Sequence, residues 1–120
     1  MVEATQTKIR RVAVLGASGR MGSEAVKAIT DAPDFELVAA LGREDSLEKL
    51  VETNAEIMVD LTVPSATETN VRFAVEHGVH AVVGTTGWTE ERVESLRELL
   101  DKHPQVGVLI APNFALGSIL

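Results

Sequence analysis

The chain has 120 residues, 45% of them hydrophobic and 24% charged, which is the size and mix of one folded domain with a single core. It contains no Cys and no Tyr, so thiolate nucleophiles, disulfides, zinc–thiolate sites and phenolic general acids are excluded, and with them dehydrogenases of the Ser-Tyr-Lys type. Its formal net charge of −7, from 18 Asp and Glu against 11 Lys and Arg, repels a phosphate polymer, and nucleic-acid binding is not expected.

Residues 1–8 form a polar tail without the apolar centre of a signal peptide. No stretch approaches the roughly 20 apolar residues that span a bilayer, so no membrane association and a cytoplasmic location are expected. The absence of Cys agrees with that. After the tail, residues 9–120 read as one domain. Val12-Ala13-Val14-Leu15 is apolar without alternation, the pattern of a strand buried on both faces of a parallel sheet. From Gly19 to about Ala32 the spacing turns helical, with Met21, Ala25, Ala28, Ile29 and Ala32 on the side facing the core, and Pro33 ends it. Glu36 to Leu41 predicts a second strand, Leu47 to Val51 a short helix and Ile57 to Leu61 a third strand. Pro64 opens a helix lined by Val71, Phe73, Ala74 and Val75 that exits near Gly78. His80 to Val83 follows as a fourth strand. Thr89 is an N-cap, with Glu90 and Glu91 where the helix dipole favours negative charge and Val93, Leu96, Leu99 and Leu100 as the buried stripe. Val106 to Ile110 is the fifth strand.

Strands alternating with helices at this spacing predict an α/β fold of the Rossmann type, a doubly wound parallel sheet with helices on both faces. In such sheets ligands bind at the carboxyl ends of the strands. From Val106 to Leu120 there is no charged residue, and the last stretch reads as the apolar start of a helix. The expectation is that the sheet is incomplete at this end and that the natural chain continues, rather than that the segment docks on a partner.

Gly16-Ala17-Ser18-Gly19-Arg20-Met21-Gly22 lies between a strand and a helix, where glycine patterns hold phosphates. Gly16 permits the tight turn, Gly19 lets the backbone approach a pyrophosphate, Gly22 lets helix and strand pack closely, and free N–H groups at the helix start receive the anion. The spacing is G-x-x-G-x-x-G, a departure from G-x-G-x-x-G, and a plain tight turn is the competing reading. A P-loop is excluded because no Lys followed by Ser or Thr comes after the glycines. At the end of the second strand, where an acidic residue would hold the adenosine ribose, stand Gly42 and Arg43. Glycine leaves room for a 2′-phosphate and arginine can pair with it, so NADPH is expected to be accepted at least as well as NADH. Glu44 or Asp45 could still reach the ribose and restore NADH binding, and an ordinary solvated loop is the alternative.

Gly84-Thr85-Thr86-Gly87 and Ala111-Pro112-Asn113-Phe114 follow the fourth and fifth strands. Each reads equally as a ligand loop for the nicotinamide end or as a plain turn. Asp60 is either a ribose partner or a structural acceptor near a helix start, and the second reading is favoured. Trp88 reads as a packing residue. His77 and His80 straddle a helix exit without clustered Cys or carboxylates, so no metal site is expected. No base and nucleophile pair is visible, and no catalytic residue is assigned.

Taken together, VAVLGASGRMG (residues 12–22), VDLTVP (59–64), HGVHAVVGTTGW (77–88) and VLIAPNFALG (108–117) closely resemble the N-terminal half of the 4-hydroxy-tetrahydrodipicolinate reductases, also called dihydrodipicolinate reductases. The resemblance runs from Arg10 to Leu120. It implies an enzyme of the diaminopimelate route to lysine and peptidoglycan. The enzyme reduces a cyclic dicarboxylate substrate to tetrahydrodipicolinate with NADH or NADPH, and is built from a dinucleotide-binding and a substrate domain and assembled as a homotetramer. Carried over by position, Gly16, Ala17, Ser18, Gly19, Arg20 and Met21 would hold the pyrophosphate and Arg43 the adenosine side. Gly84, Thr85 and Thr86 would hold the nicotinamide ribose, and Ala111, Pro112, Asn113 and Phe114 the nicotinamide end. The family often has an acidic residue in place of Gly42 and usually Phe in place of Trp88. Its catalytic His-His pair and following Lys are not among these residues, so the 120 residues alone are expected to bind dinucleotide weakly, if at all, and to reduce nothing. The rival readings are a stand-alone NAD(P)H-sensing module and the nucleotide half of another hydride-transferring reductase.

Overall fold

The computed structural model describes residues 8–111. The expected alternation is present: β1 (Arg10–Leu15), α1 (Arg20–Asp31), β2 (Phe35–Leu41), α2 (Glu48–Glu52), β3 (Ile57–Asp60), α3 (Pro64–Glu76), β4 (His80–Val83), α4 (Glu90–Asp101) and β5 (Val108–Ile110). The strands form one parallel five-stranded sheet in the order β2-β1-β3-β4-β5. β1 is flanked by β2 on one side and β3 on the other. The chain therefore reverses its direction of travel across the sheet at β1, and the crevice at the carboxyl ends of β1 and β3 is where sheets of this kind take ligands.

Two cores follow from the two faces. Val12 and Val14 point to one side, with Val59 and with Ala25 and Ile29 of α1. Ala13 and Leu15 point to the other, where Met58, Ala81 and Val83 meet Leu50 of α2, Val71, Ala74 and Val75 of α3, and Leu96 and Leu99 of α4. The apolar run in β1 lacks alternation because both of its faces are covered. The layers are unequal, with α1 on one face and α2, α3 and α4 on the other. Along the α1 side a paired row crosses the sheet, Val14, Val59, Val82 and Leu109. Cover thins along it, from a fully buried Val14 to a Leu109 that is 52% exposed.

Helix ends follow local chemistry. α1 stops at Ala32 in extended backbone before Pro33, α3 begins with Pro64 in its first turn, and Thr89 caps α4 by accepting from the Arg92 N–H. After α2, Asn54 has φ of 57°, a left-handed exit that lets the Ala55 N–H return to the Leu50 carbonyl.

β2, α2 and β3 depart from the sequence reading by one residue at one or both ends, and three details differ by more. β1 starts at Arg10, because at the sheet's rim a charged side chain reaches water while its backbone still joins the ladder. β5 starts at Val108, because a turn closed by the Val106 N–H on the His103 carbonyl occupies the residues before it. Met21 is 41% exposed, because Gly22, Ala25 and Ile29 occupy the buried side of α1. No helix among the described residues is long and apolar enough to cross a membrane.

Candidate functional site

The turn after β1 is built around absent side chains. Gly16 has φ of +79°, and a Cβ there would overlap the carbonyl of Leu61 in the neighbouring strand's exit loop. At Gly22 a Cβ would overlap the Gly16 carbonyl and come within 2.9 Å of the Ala17 Cα. Both glycines are thus required by the fold, one for conformation and one for close approach. Gly19 differs: its φ is −77°, and the nearest atom to a Cβ there is the Gly16 carbonyl oxygen at an ordinary 3.5 Å. The protein leaves space in front of Gly19 that its own packing does not need. The first turn of α1 has no side-chain cap and no acidic residue, so the positive end of its dipole is not neutralised from within.

This turn forms one wall of a cleft of about 300 Å³, whose other walls are the exits of β2 and β3. Gly16, Ser18 and Gly19 line it together with Gly42, Arg43 and Asp45 from the second exit, Thr62 from the third and Asn70 of α3. Ala17 is half-buried, and Arg20 and Met21 are exposed beside the turn. Arg43 is exposed on the rim, and no carboxylate pairs with it among the described residues. Asp45 Oδ2 accepts from the Gly42 N–H at 2.7 Å. That bond ties the carboxylate nearest the missing acidic position to the loop's own backbone.

The exits of β3 and β4 are joined by Asp60, which is fully buried. Its Oδ1 accepts from the Thr62 N–H at 2.9 Å and from the Thr62 and Thr85 hydroxyls, and its Oδ2 accepts from the Thr67 hydroxyl at 2.7 Å. The favoured structural reading of Asp60 fits these bonds. The Asp60 carbonyl receives the Gly84 N–H at 2.9 Å and the Thr85 hydroxyl at 3.2 Å. Gly84 and Thr85 are therefore buried, with the Thr85 hydroxyl turned into the protein, while Thr86 is exposed. The 84–86 backbone lies beside the cleft without lining it. Ala111 joins the same edge through its N–H on the Val83 carbonyl at 2.8 Å. Pro112, Asn113 and Phe114 lie outside the described residues, as does the apolar run that follows them.

Sequence reading missed Thr67 and Asn70. Both are buried polar residues on the otherwise apolar face of α3 that carries Val71 and Ala74, and a polar start to a buried stripe is the signal that marks them. Asn70 Nδ2 donates to the Thr62 hydroxyl at 3.3 Å. Arg92 fastens the loop after β4 from outside, donating to the carbonyls of Pro64 and Gly87 and pairing with Glu68 at 3.2 Å. Trp88 packs against the larger core, and its indole N–H is buried without a partner among the described residues.

The amino ends of the strands carry different groups. His77 stacks on Phe73 and its Nδ1 meets the Phe73 carbonyl at 2.8 Å, while His80 Nδ1 accepts from the Gly107 N–H at 3.0 Å. Each ring nitrogen named is taken by backbone. Glu56 accepts from the Arg11 N–H at 3.0 Å, and this bond, backed by the nearby charges of Arg11, Lys8 and Arg10, outweighs burial and lowers its pKa.

Against known proteins the match is extensive. The family model "Dihydrodipicolinate reductase, N-terminus" matches residues 10–114. The 4-hydroxy-tetrahydrodipicolinate reductase of Streptomyces griseus is 59% identical over 110 residues, which is 92% of this chain and 44% of that protein. The enzyme of that name from Mycobacterium marinum is 48% identical over 92% of this chain and 45% of its own length. The chain thus spans less than half the length of these curated relatives. A solved dihydrodipicolinate reductase from Paenisporosarcina sp. TG-14, bound to dipicolinate, superposes with a TM-score of 0.82 at 30% identity, covering 92% of this chain and 50% of the other. Homoserine dehydrogenase from S. aureus shares the fold alone, with a TM-score of 0.74 at 20% identity over 90% of this chain and 34% of its own. On the length and identity of these matches, the chain belongs to the dihydrodipicolinate reductase family, within which it corresponds to the N-terminal part.

Proposed function

We propose that this chain is the NAD(P)H-binding half of a cytoplasmic reductase that converts 4-hydroxy-tetrahydrodipicolinate to tetrahydrodipicolinate in the diaminopimelate route to lysine. The observation that carries the reading is the turn of residues 16–22. Gly16 and Gly22 are demanded by the fold, whereas Gly19 faces space beside an uncapped helix start, the form of a pyrophosphate cradle. In this reading the residues Gly16, Ala17, Ser18, Gly19, Arg20 and Met21 form the pyrophosphate cradle. The N–H groups of Ser18, Arg20 and Met21 receive the anion, while those of Gly16, Ala17 and Gly19 are taken by the Leu41 and Gly16 carbonyls and hold the turn in shape. Gly84, Thr85 and Thr86 support the nicotinamide ribose with backbone, since the Thr85 hydroxyl is engaged by Asp60. Ala111, Pro112, Asn113 and Phe114 border the nicotinamide end. The bound nicotinamide supplies the hydride.

Arg43 stands where an adenosine 2′-phosphate would lie and pairs with it as a guanidinium on the rim. Asp45 opposes this with its negative charge but is tied to the Gly42 N–H. NADPH is therefore accepted at least as well as NADH. The dicarboxylate substrate and the proton donors belong to a substrate domain with the family's His-His pair and Lys, and the whole enzyme is a homotetramer. The 120 residues hold no adjacent His pair, and by themselves they turn over nothing.

Titration with NADPH and NADH, followed by nucleotide fluorescence, tests the reading. The expected result is weak but saturable binding of both, as befits the nucleotide half by itself, and in Arg43→Ala a loss of about tenfold for NADPH with little change for NADH. NADH binding much tighter than NADPH in the unaltered chain overturns the assignment of Arg43. Failure to bind either nucleotide even at about millimolar concentration overturns the cofactor reading, and measurable turnover by the 120 residues overturns the division of labour.

A further inference from the structure

β1, β2 and β4 end in Leu15, Leu41 and Val83, whereas β3 ends in a fully buried carboxylate. Removing that charge from water is costly, and no cation lies within ion-pair distance among the described residues. Burial of the sheet does not need it, since apolar residues on both faces supply the core. What Asp60 does is hold three separate pieces. Its carboxylate takes the Thr62 N–H of its own exit loop, the Thr67 hydroxyl of α3 and the Thr85 hydroxyl of the β4 exit, and its carbonyl takes the Gly84 N–H. The link continues to the glycine turn, because the Leu61 N–H bonds the Leu15 carbonyl and the Leu61 backbone abuts Gly16. Neither Asp60 nor Thr67 lines the cleft.

We infer that Asp60 is a positioning residue that fixes residues 84–86 relative to residues 61–63 and the glycine turn, so the pyrophosphate and nicotinamide ends of the cleft stand at one separation before a dinucleotide arrives. This rests on the dinucleotide reading above. Groups held in place beforehand spare the ligand the entropy of ordering them. Thr67 contributes at second remove, by keeping the Asp60 carboxylate turned toward both loops.

Thr67→Val keeps the shape and removes one donor from a site that touches no ligand, and Thr67→Ser restores the donor. The readouts are the dissociation constant for NADPH and hydrogen exchange at the Gly84 amide in the free chain. In Thr67→Val both are expected to rise about fivefold or more, and in Thr67→Ser both stay within about twofold of the unaltered chain. Asp60→Asn, read in the same two ways, is expected to follow Thr67→Val. A lowered urea midpoint with unchanged NADPH affinity and unchanged Gly84 exchange shows a merely structural group and overturns the proposal. If the unaltered chain binds no nucleotide, the dinucleotide reading falls and the binding role falls with it. Normal binding in the unaltered chain with no response in the variants overturns the part given to Asp60 alone.

Discussion

Gly19 and Gly22 sit three residues apart in one turn, yet they answer to different demands, and substitution separates them. A methyl group at Gly22 meets the backbone of Gly16 and Ala17, which no side-chain movement can relieve. Gly22→Ala is expected to lose about 2 kcal/mol or more, a fall of roughly 8 °C in the melting temperature by calorimetry. At Gly19 the same methyl meets nothing closer than 3.5 Å. Gly19→Ala is expected to lose less than about 1 kcal/mol, chiefly as a poorer helix start, but to weaken NADPH binding about tenfold in the same titration. Glu56 gives a pH signature at the amino end of β3. Its carboxyl titrates below the usual Glu range, mainly because the Arg11 N–H donates to it, so the folded state binds that proton less readily than the unfolded state does. Its stabilisation is complete above the unfolded pKa of about 4.3 and is lost as pH falls through the lower folded value. Urea unfolding of Glu56→Gln is expected to show a deficit at pH 7 that closes toward pH 3, and a constant gap would exclude this origin.

Among the elements, α4 has the clearest start, with the Thr89 hydroxyl accepting from the Arg92 N–H and Glu90 and Glu91 in the first turn. Thr89→Ala is expected to cost about 1 kcal/mol in thermal unfolding, with Thr89→Ser recovering most of it. Caps, glycine exits and prolines act within a few residues, which is why α1, α3, α4 and β4 were legible in the chain. What escaped notice depended on partners far along the sequence. Arg10 joins β1 because Phe35 lies opposite it; the late start of β5 is the exception, a local turn from His103 to Val106 that carries no Gly or Asn to announce it. The candidate site divides the same way. The glycine turn is local and could be read directly, whereas the grip of Asp60 on Thr67 and Thr85 spans two loops and a helix. No spacing rule announces it.

At the scale of the whole molecule, the sheet order makes β1 the pivot, since β2 is laid on one side of it and β3 on the other. The run of apolar residues in β1 foretold two covered faces but not which strand would arrive at each edge, because pairing order is decided by crossovers rather than by composition. A kinetic consequence follows from Gly16 resting on Leu61. The turn at the end of the first strand acquires its shape only when the third strand docks, after a whole βα unit has come and gone between them. Contacts that span so much chain form late, because the loop must close before the contact rewards it. On a ribosome, where the chain emerges from its amino end, residues 16–22 appear before the exit of β3 and must wait for it before they take the shape of the proposed cradle.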